Sequence, residues 1–458
     1  MPTTPLVPSH WHRTVRLVAG GAAVLTPAAV AAVYAAARVL TDAPRHRPPR
    51  AALRGRFHDA GEVAAVPVVD LAGTGAASAG RWGLWFDGGY AQTGDPVAWP
   101  ADGVRRPYDL LDGAAPTAAA QLERRRGDRR DRRSELPAGT PDRADGDRPD
   151  AAGTTAPPER RRRSDRRRRR EPPPWPVKVA LHPYAFPDDP QLLAARHGAR
   201  FELDVVRTPA MDLPAWRFVP AEPTTTTWLV GVHGRGARRT ELFRILDTAL
   251  EAGVPCLVTS YRTDPWVSSP QPVTTLGHTE WVDVEAAVAR AVAAGADRVV
   301  LAGCSLGGGI VATTLRRSAL RDAVAGVVLD SPALDWGPVL AHIARRRRLP
   351  TPLVPLVLLG AQVRSRIDFS ALDHVSAAPD FQTPILLFHG SEDPIVPVWL
   401  SDAFARARPD LVTYVRVEGA GHVRAWNTDP LRYRWALTRF LRHTCTPAPD
   451  VARSHATP

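Results

Sequence analysis

The sequence is poor in cysteine, with three in 458 residues: Cys256, Cys304 and Cys445. Their spacing fits neither a disulfide framework nor a zinc-ligand pattern, which excludes a stapled scaffold and a structural zinc site. Cys256 and Cys304 lie in apolar, strand-like runs, where free thiols behave as small buried hydrophobes. Evenly spread positive charge is also lacking, although the net charge is +12. Residues 121–171 hold 18 arginines against 11 acidic residues and so supply +7 of that total. The rest of the chain is only mildly basic, so no specific nucleic-acid partner is expected. Apolar residues are almost missing from the same region. Between 113 and 172 the chain cannot bury enough surface to offset the entropy of ordering, and a disordered Arg-rich insertion is expected. It reads either as a patch for nucleic acid or anionic lipid or as a solvated insertion.

Charge is missing altogether from residues 17–37, LVAGGAAVLTPAAVAAVYAAA. As a helix this run is long enough to cross a hydrocarbon core, though it is Ala-rich and contains Pro27. Residues 17–38 are therefore expected to be a single-pass membrane anchor or a signal segment, with Ala35-Ala36-Ala37 as a small-residue cleavage site. The expected location is the cell membrane, through this N-terminal helix. Arginines flank the run on both sides, so the side on which the bulk of the chain lies stays open. The remaining expected divisions are a tail at 1–16, a linker and N-terminal strands at 39–112, a catalytic domain at 173–445 and a disordered tail at 446–458. Within the second of these, RWGLWFDGGYAQTGD (81–95) reads as a strand and turn.

From residue 200 strand and helix patterns alternate. FELDVV, PAWRFVP, TTTTWLVGVHG, VPCLVTSYR, RVVLAGCS, AGVVLDSP, PILLFHGSED and LVTYVRVEGAGH read as strands. Trp281, Val284, Val288 and Ala291 recur at helical spacing and predict one apolar face. Asp429-Pro430 supplies an N-cap and a first-turn proline for a last helix, with Tyr433, Ala436, Leu437, Phe440 and Leu441 on one side. Continuous apolar strands alternating with helices predict an α/β fold, a mostly parallel central sheet with helices on both faces.

The chemistry is carried by residues at the strand ends. Gly303-Cys304-Ser305-Leu306-Gly307 sits where an apolar strand ends and a helix begins, the context a nucleophilic Ser305 requires. His422, in GAGHVRAWN, follows the last strand and is the candidate base. The base needs a carboxylate to fix its tautomer. Asp393, in HGSEDPIVP, is preferred; Asp330 in LDSP and Glu392 are its rivals. An acyl-transfer site also needs two N–H donors for the developing oxyanion. Leu306, directly after the nucleophile, is one. Arg235 is the candidate for the second and Gly236 an alternative, both in the glycine-containing run Val232–Gly236. His233, just before them, reads as a brace for that loop. No metal or organic cofactor is implied.

These motifs resemble the α/β-hydrolase superfamily. More narrowly, they are similar to membrane-anchored actinobacterial serine hydrolases related to the prolyl-oligopeptidase and acylaminoacyl-peptidase group. The resemblance rests on VHGRG (232–236), SYRTDP (260–265), LGHTEWVDVEAAV (276–288), GCSLGGG (303–309), LDSPALDW (329–336), HGSEDPIVP (389–397) and GAGHVRAWN (419–427). It is strong over 200–443 and weak over 80–112. It implies the α/β-hydrolase fold, Ser305, Asp393 and His422 as nucleophile, acid and base, and a small helical cap at about 333–380. Cys304 departs from the family's usual Trp or His before the nucleophile. The Arg-rich insertion leaves open how the N-terminal strands join the sheet. The expected function is hydrolysis of carboxylic esters, with amides a further substrate class, through an acyl-enzyme. A small-molecule or lipid ester is the expected substrate. A peptidase or acyltransferase would use the same residues. In a reading of another class, the insertion makes the chain a polyanion- or lipid-binding interaction protein.

Overall fold

A computed structural model describes residues 27–42, most of 53–113, and 177–445 apart from 183, 269 and 270. The Arg-rich insertion beyond 113, residues 1–26 and the tail at 446–458 lie outside the described residues. Two sheets organise the chain.

The first is a closed antiparallel barrel of β1 (Leu53–His58), β2 (Val68–Ala72), β3 (Trp82–Phe86), β4 (Gly89–Thr93), β5 (Val104–Gly113) and β6 (Val177–His182), in the order β1-β2-β5-β4-β3-β6. Closure removes the exposed sheet edges that would invite association. Leu53, Phe57, Leu71, Leu84, Phe86 and Tyr108 fill it, with the ring of Phe57 4.7 Å from Phe86 and 5.2 Å from Tyr108. Two expectations are corrected here. The N-terminal strands do not join the large sheet. Nor does the catalytic domain take up the chain at 173, because β6 pairs with β1 and β3 and closes the barrel.

The second sheet contains β7 (Ala199–Arg207), β8 (Asp212–Pro220), β9 (Thr227–Val232), β10 (Cys256–Thr259), β11 (Arg298–Cys304), β12 (Val324–Asp330), β13 (Ile385–Gly390) and β14 (Val412–Val417). Its order is β14-β13-β12-β11-β9-β10-β8-β7, with only β8 running against the others. Strands β9, β12 and β13 are buried throughout, as strands covered on both faces must be.

The α-helices are α1 (Pro27–Thr41), α2 (Pro190–Arg196), α3 (Phe243–Glu251), α4 (Trp281–Ala293), α5 (Leu306–Arg317), α6 (Trp336–Arg346), α7 (Val354–Ser365), α8 (Trp399–Ala407), α9 (Ala425–Thr428) and α10 (Pro430–Cys445). Helices α4 and α5 pack in one core cluster and α3 and α10 in another, so the sheet is covered on both sides. The apolar faces read from the sequence are the buried ones: Val284, Val288 and Ala291 in α4, and Tyr433, Ala436, Leu437, Phe440 and Leu441 in α10. Asp429 accepts the N–H of Arg432 at 3.0 Å and so caps α10. Between β12 and β13 the chain forms a helical cap from α6, α7 and short 3₁₀ turns.

Helix α1 lies on the cap. Among the described residues no helix is long and apolar enough to cross a membrane. The first part of the expected anchor, up to residue 26, lies outside the described residues. The rest runs alongside α7 in the same direction. Arg364 reaches Asp42 at 2.5 Å, and a Cβ at Gly360 would stand 3.3 Å from Cβ of Ala37 and 3.8 Å from Val33.

Candidate active site

Strand β11 ends at Cys304 and α5 starts at Leu306, so Ser305 alone makes the turn. Its φ of 52° lies in the left-handed region, unusual for a residue with a side chain. Two glycines allow the strand and helix to approach this closely. A Cβ at Gly303 would stand 2.6 Å from the carbonyl oxygen of Gly307, and one at Gly307 would stand 2.3 Å from that of Val232. Neither position can take a larger residue without moving backbone. Leu306 opens the helix, so its N–H has no carbonyl one turn back to bond. The macrodipole of α5 also favours negative charge at this end.

His422 Nε2 stands 2.9 Å from Ser305 Oγ, and His422 Nδ1 stands 2.7 Å from Asp393 Oδ2. The N–H groups of Ile395 and Val396 donate to Asp393 Oδ1 at 2.8 and 2.9 Å. His389 Nε2 lies 3.2 Å from Oδ2. Burial alone would raise the Asp393 pKa. The hydrogen bonds from His389 and His422 outweigh it and hold the carboxyl well below the usual carboxylate range. His389, which sequence reasoning left without a role, is itself buried and bonded to Ser401 and to the carbonyl of Val396. The rival acids are elsewhere. Glu392 is exposed. Asp330 is buried below the site, where Tyr433 donates to it at 3.3 Å and burial pushes its carboxyl up. Burial likewise pushes the Cys304 thiol well above its ordinary range, so this neighbour of Ser305 stays an un-ionised core residue.

Val423, directly after His422, also has a positive φ, 50°. For a β-branched residue this is strained and needs support. Its N–H donates to Ser331 Oγ at 3.1 Å, and its carbonyl accepts from the buried Arg244 guanidinium at 2.8 Å. The loop carrying His422 is thus held through the peptides on both sides of Val423.

The loop after β9 is braced as firmly. The N–H of Gly234 donates to the Glu241 carboxylate at 2.7 Å. The carbonyl of Gly234 accepts from His233 Nδ1 at 2.9 Å and from the Tyr261 hydroxyl at 3.0 Å. His233 Nε2 meets Asp264 Oδ2 at 3.0 Å. Both ring nitrogens therefore face acceptors, which the imidazolium form satisfies. Burial opposes that charge, but the Asp264 carboxylate outweighs it and raises the His233 pKa. The outcome is a fixed Gly234–Arg235 peptide, whose N–H belongs to the residue expected to help hold an oxyanion. Arg235's guanidinium turns away and grips the last turn of α1, donating to the carbonyls of Val39, Leu40 and Asp42 at 3.0, 3.2 and 2.7 Å. Sequence reasoning missed Tyr261, Glu241, Asp264 and Arg244. Tyr261 and Asp264 stand in the SYRTDP motif, the signal that could have found them.

Residues 229–434 match the model of the alpha/beta hydrolase family. No curated protein matches the sequence. Among solved structures, the chain is similar to the Pyrococcus furiosus esterase Pf2001, with 18% identity and a TM-score of 0.45 over 55% of this chain and 94% of that one. It is also similar to Est1E from Butyrivibrio proteoclasticus, with 20% identity and a TM-score of 0.42 over 53% and 98% of the two chains. A puromycin-hydrolyzing peptidase of Mycobacterium tuberculosis gives 19% identity and a TM-score of 0.43 over 56% and 40%. Over residues 229–434, less than half of the chain, the sequence is thus similar to the alpha/beta hydrolase family.

Proposed function

We propose that this hydrolase cleaves carboxylic esters through an acyl-enzyme on Ser305. His422 takes the Ser305 proton as Oγ attacks the ester carbonyl, and then gives it to the departing alcohol. Asp393, ionised and anchored by two backbone N–H groups, fixes the His422 tautomer and stabilises the imidazolium. The N–H groups of Leu306 and Arg235 hold the tetrahedral oxyanion. Water activated by His422 then releases the acid. The observation that carries this reading is the unbroken chain from Ser305 Oγ through His422 to Asp393, at 2.9 and 2.7 Å, on a nucleophile with strained backbone. Esters are favoured over peptides because the second domain is a filled β-barrel rather than a channelled gate of the propeller type. Amide cleavage and acyl transfer to an alcohol remain the alternatives that the same three residues support.

A fluorophosphonate probe tests the reading. The folded protein should be labelled, and Ser305→Ala should lose both labelling and turnover of p-nitrophenyl esters. A panel of chain lengths, run beside aminoacyl amides, separates esterase from peptidase. Labelling that persists in Ser305→Ala would refute the assignment of the nucleophile.

A further inference from the structure

We propose that the seam between α1 and cap helix α7, with the arginine cluster at the neighbouring cap turn, is a docking surface for an anionic phospholipid membrane. The surface is apolar along the seam and cationic at one end. Val33, Tyr34, Leu356, Leu359, Gly360 and Val363 line an open groove where the two helices meet. Tyr34 is 56% exposed and Val363 76%. Arg345, Arg346, Arg347 and Arg348 are all exposed, and the next residue, Leu349, leaves 56% of its surface in solvent. Lone apolar side chains on a surface need no explanation, but an apolar strip on a cap helix whose preceding turn exposes four like charges does.

The direction of α1 ties the two parts together. Its C-terminal end meets Arg364 and its middle meets Gly360, so its N-terminal end points toward the start of α7, the end of the cap that carries Arg345–Arg348. The uncharged sequence continues upstream of α1 to residue 17. From Val33 onward, however, the same run is already packed on the cap. Its second half therefore cannot sit in hydrocarbon on all sides while docked. It can offer only its outer face, as an interfacial helix does. Anionic headgroups would attract and neutralise the arginines. A second copy of the chain, by contrast, would bring four more arginines to the same interface.

The surface lies beside the catalytic centre. Arg235, in the loop proposed to hold the oxyanion, grips the last turn of α1. A helix of 15 residues is about 22 Å long, so a membrane docked along α1 would lie within about that distance of the Arg235 loop. This second half, that the ester substrate is taken from the membrane, rests on the ester-hydrolase reading; the docking itself does not.

Binding of the full-length protein to phosphatidylcholine vesicles, with and without 30% phosphatidylglycerol, measured by co-sedimentation, tests docking without reference to activity. Binding is expected to be stronger to the anionic vesicles. It should fall at least tenfold when Arg345, Arg346, Arg347 and Arg348 are all changed to Gln, and several-fold in Val363→Asp. Hydrolysis of soluble p-nitrophenyl acetate should be unchanged in both variants, which reports intact folding, while hydrolysis of an ester presented in vesicles falls with binding. Three results would overturn the proposal: no vesicle binding by the unaltered chain, equal binding by both variants, or self-association without lipid that Val363→Asp abolishes. The second would leave residues 1–26 as the sole anchor, and the third would make a second copy the occupant.

Discussion

At the scale of single residues, the peptide between Gly234 and Arg235 is the most closely determined feature outside the Ser305–His422–Asp393 chain. One carbonyl receives two donors, His233 Nδ1 and the Tyr261 hydroxyl, and the histidine is held in turn by Asp264. An oxyanion donor is worth roughly 10²–10³ in kcat when removed outright. The donor proposed here, the Arg235 N–H, is backbone and cannot be deleted, but its orientation can be loosened. Tyr261→Phe and His233→Gln are each expected to lower kcat about tenfold on this basis, with KM nearly unchanged, because the ground-state carbonyl needs the donor less than the oxyanion does. Steady-state kinetics on one p-nitrophenyl ester would check this, and a loss carried by KM instead would assign these residues to substrate binding. Ser305, His422 and Asp393 were visible in the sequence because each stands at a strand end within a recognisable turn. Tyr261 and Asp264 stand in the SYRTDP motif, yet their task is not visible in it. It arises from contacts to residues 27 and 31 positions away, which no local pattern encodes.

At the scale of elements, two acids of the cap lie near each other. Asp335 caps α6 by accepting the N–H of Gly337 at 3.0 Å, and Asp373 follows the 3₁₀ turn Phe369–Leu372. Burial, with the nearby Asp373 adding to it, raises the Asp335 pKa to about 7. The sign follows from linkage. An acid that binds its proton more tightly when folded is no burden at low pH. It costs stability progressively as pH rises from its unfolded value of about 4 toward about 7, and the cost is then constant. Asp335→Asn keeps a side-chain acceptor for the cap and removes the charge. This variant should match the unaltered protein near pH 4 and be more stable than it at pH 8, as measured by urea denaturation at the two pH values. A difference that does not grow with pH would mean that neither burial nor Asp373 raises the Asp335 carboxyl in the folded protein. Elements of this kind were legible where burial is two-sided, because strands such as β11 to β13 are written as unbroken apolar runs. The barrel was not legible. Its strands are mostly five or six residues long, and β6 is separated from β5 by the Arg-rich insertion, so no sequence pattern announces that the two ends close one sheet. The packing of α1 was hidden for a related reason. An uncharged Ala-rich run satisfies a helix–helix seam as well as it satisfies lipid.

At the scale of the whole molecule, the barrel and the large sheet meet at the segment that carries His422. Asn427, five residues after His422, is the hinge of that contact. Its carbonyl accepts the Arg81 N–H, and its side-chain amide donates to the Arg81 carbonyl, both at 2.6 Å. Its side-chain oxygen accepts from Arg244 at 3.2 Å, the same guanidinium that holds the strained Val423 peptide. Gln92 of the barrel adds a bond to the carbonyl of Ala185, and Arg424 lies 5.3 Å from the Trp82 ring. The barrel is thus connected, through two side chains, to the backbone that aims His422. Asn427→Ala leaves a buried guanidinium and a carbonyl short of a partner, a loss of about 1–3 kcal/mol. If the barrel is only an attachment, that loss should lower stability and leave turnover intact. If it braces the base, kcat should fall several-fold at a temperature where the protein is fully folded, and calorimetry should resolve two unfolding transitions in place of one. The second outcome is expected, because Arg244 serves both contacts at once and cannot relax toward one without disturbing the other. A variant that unfolds in a single transition with unchanged kcat would reduce the barrel to a passive neighbour.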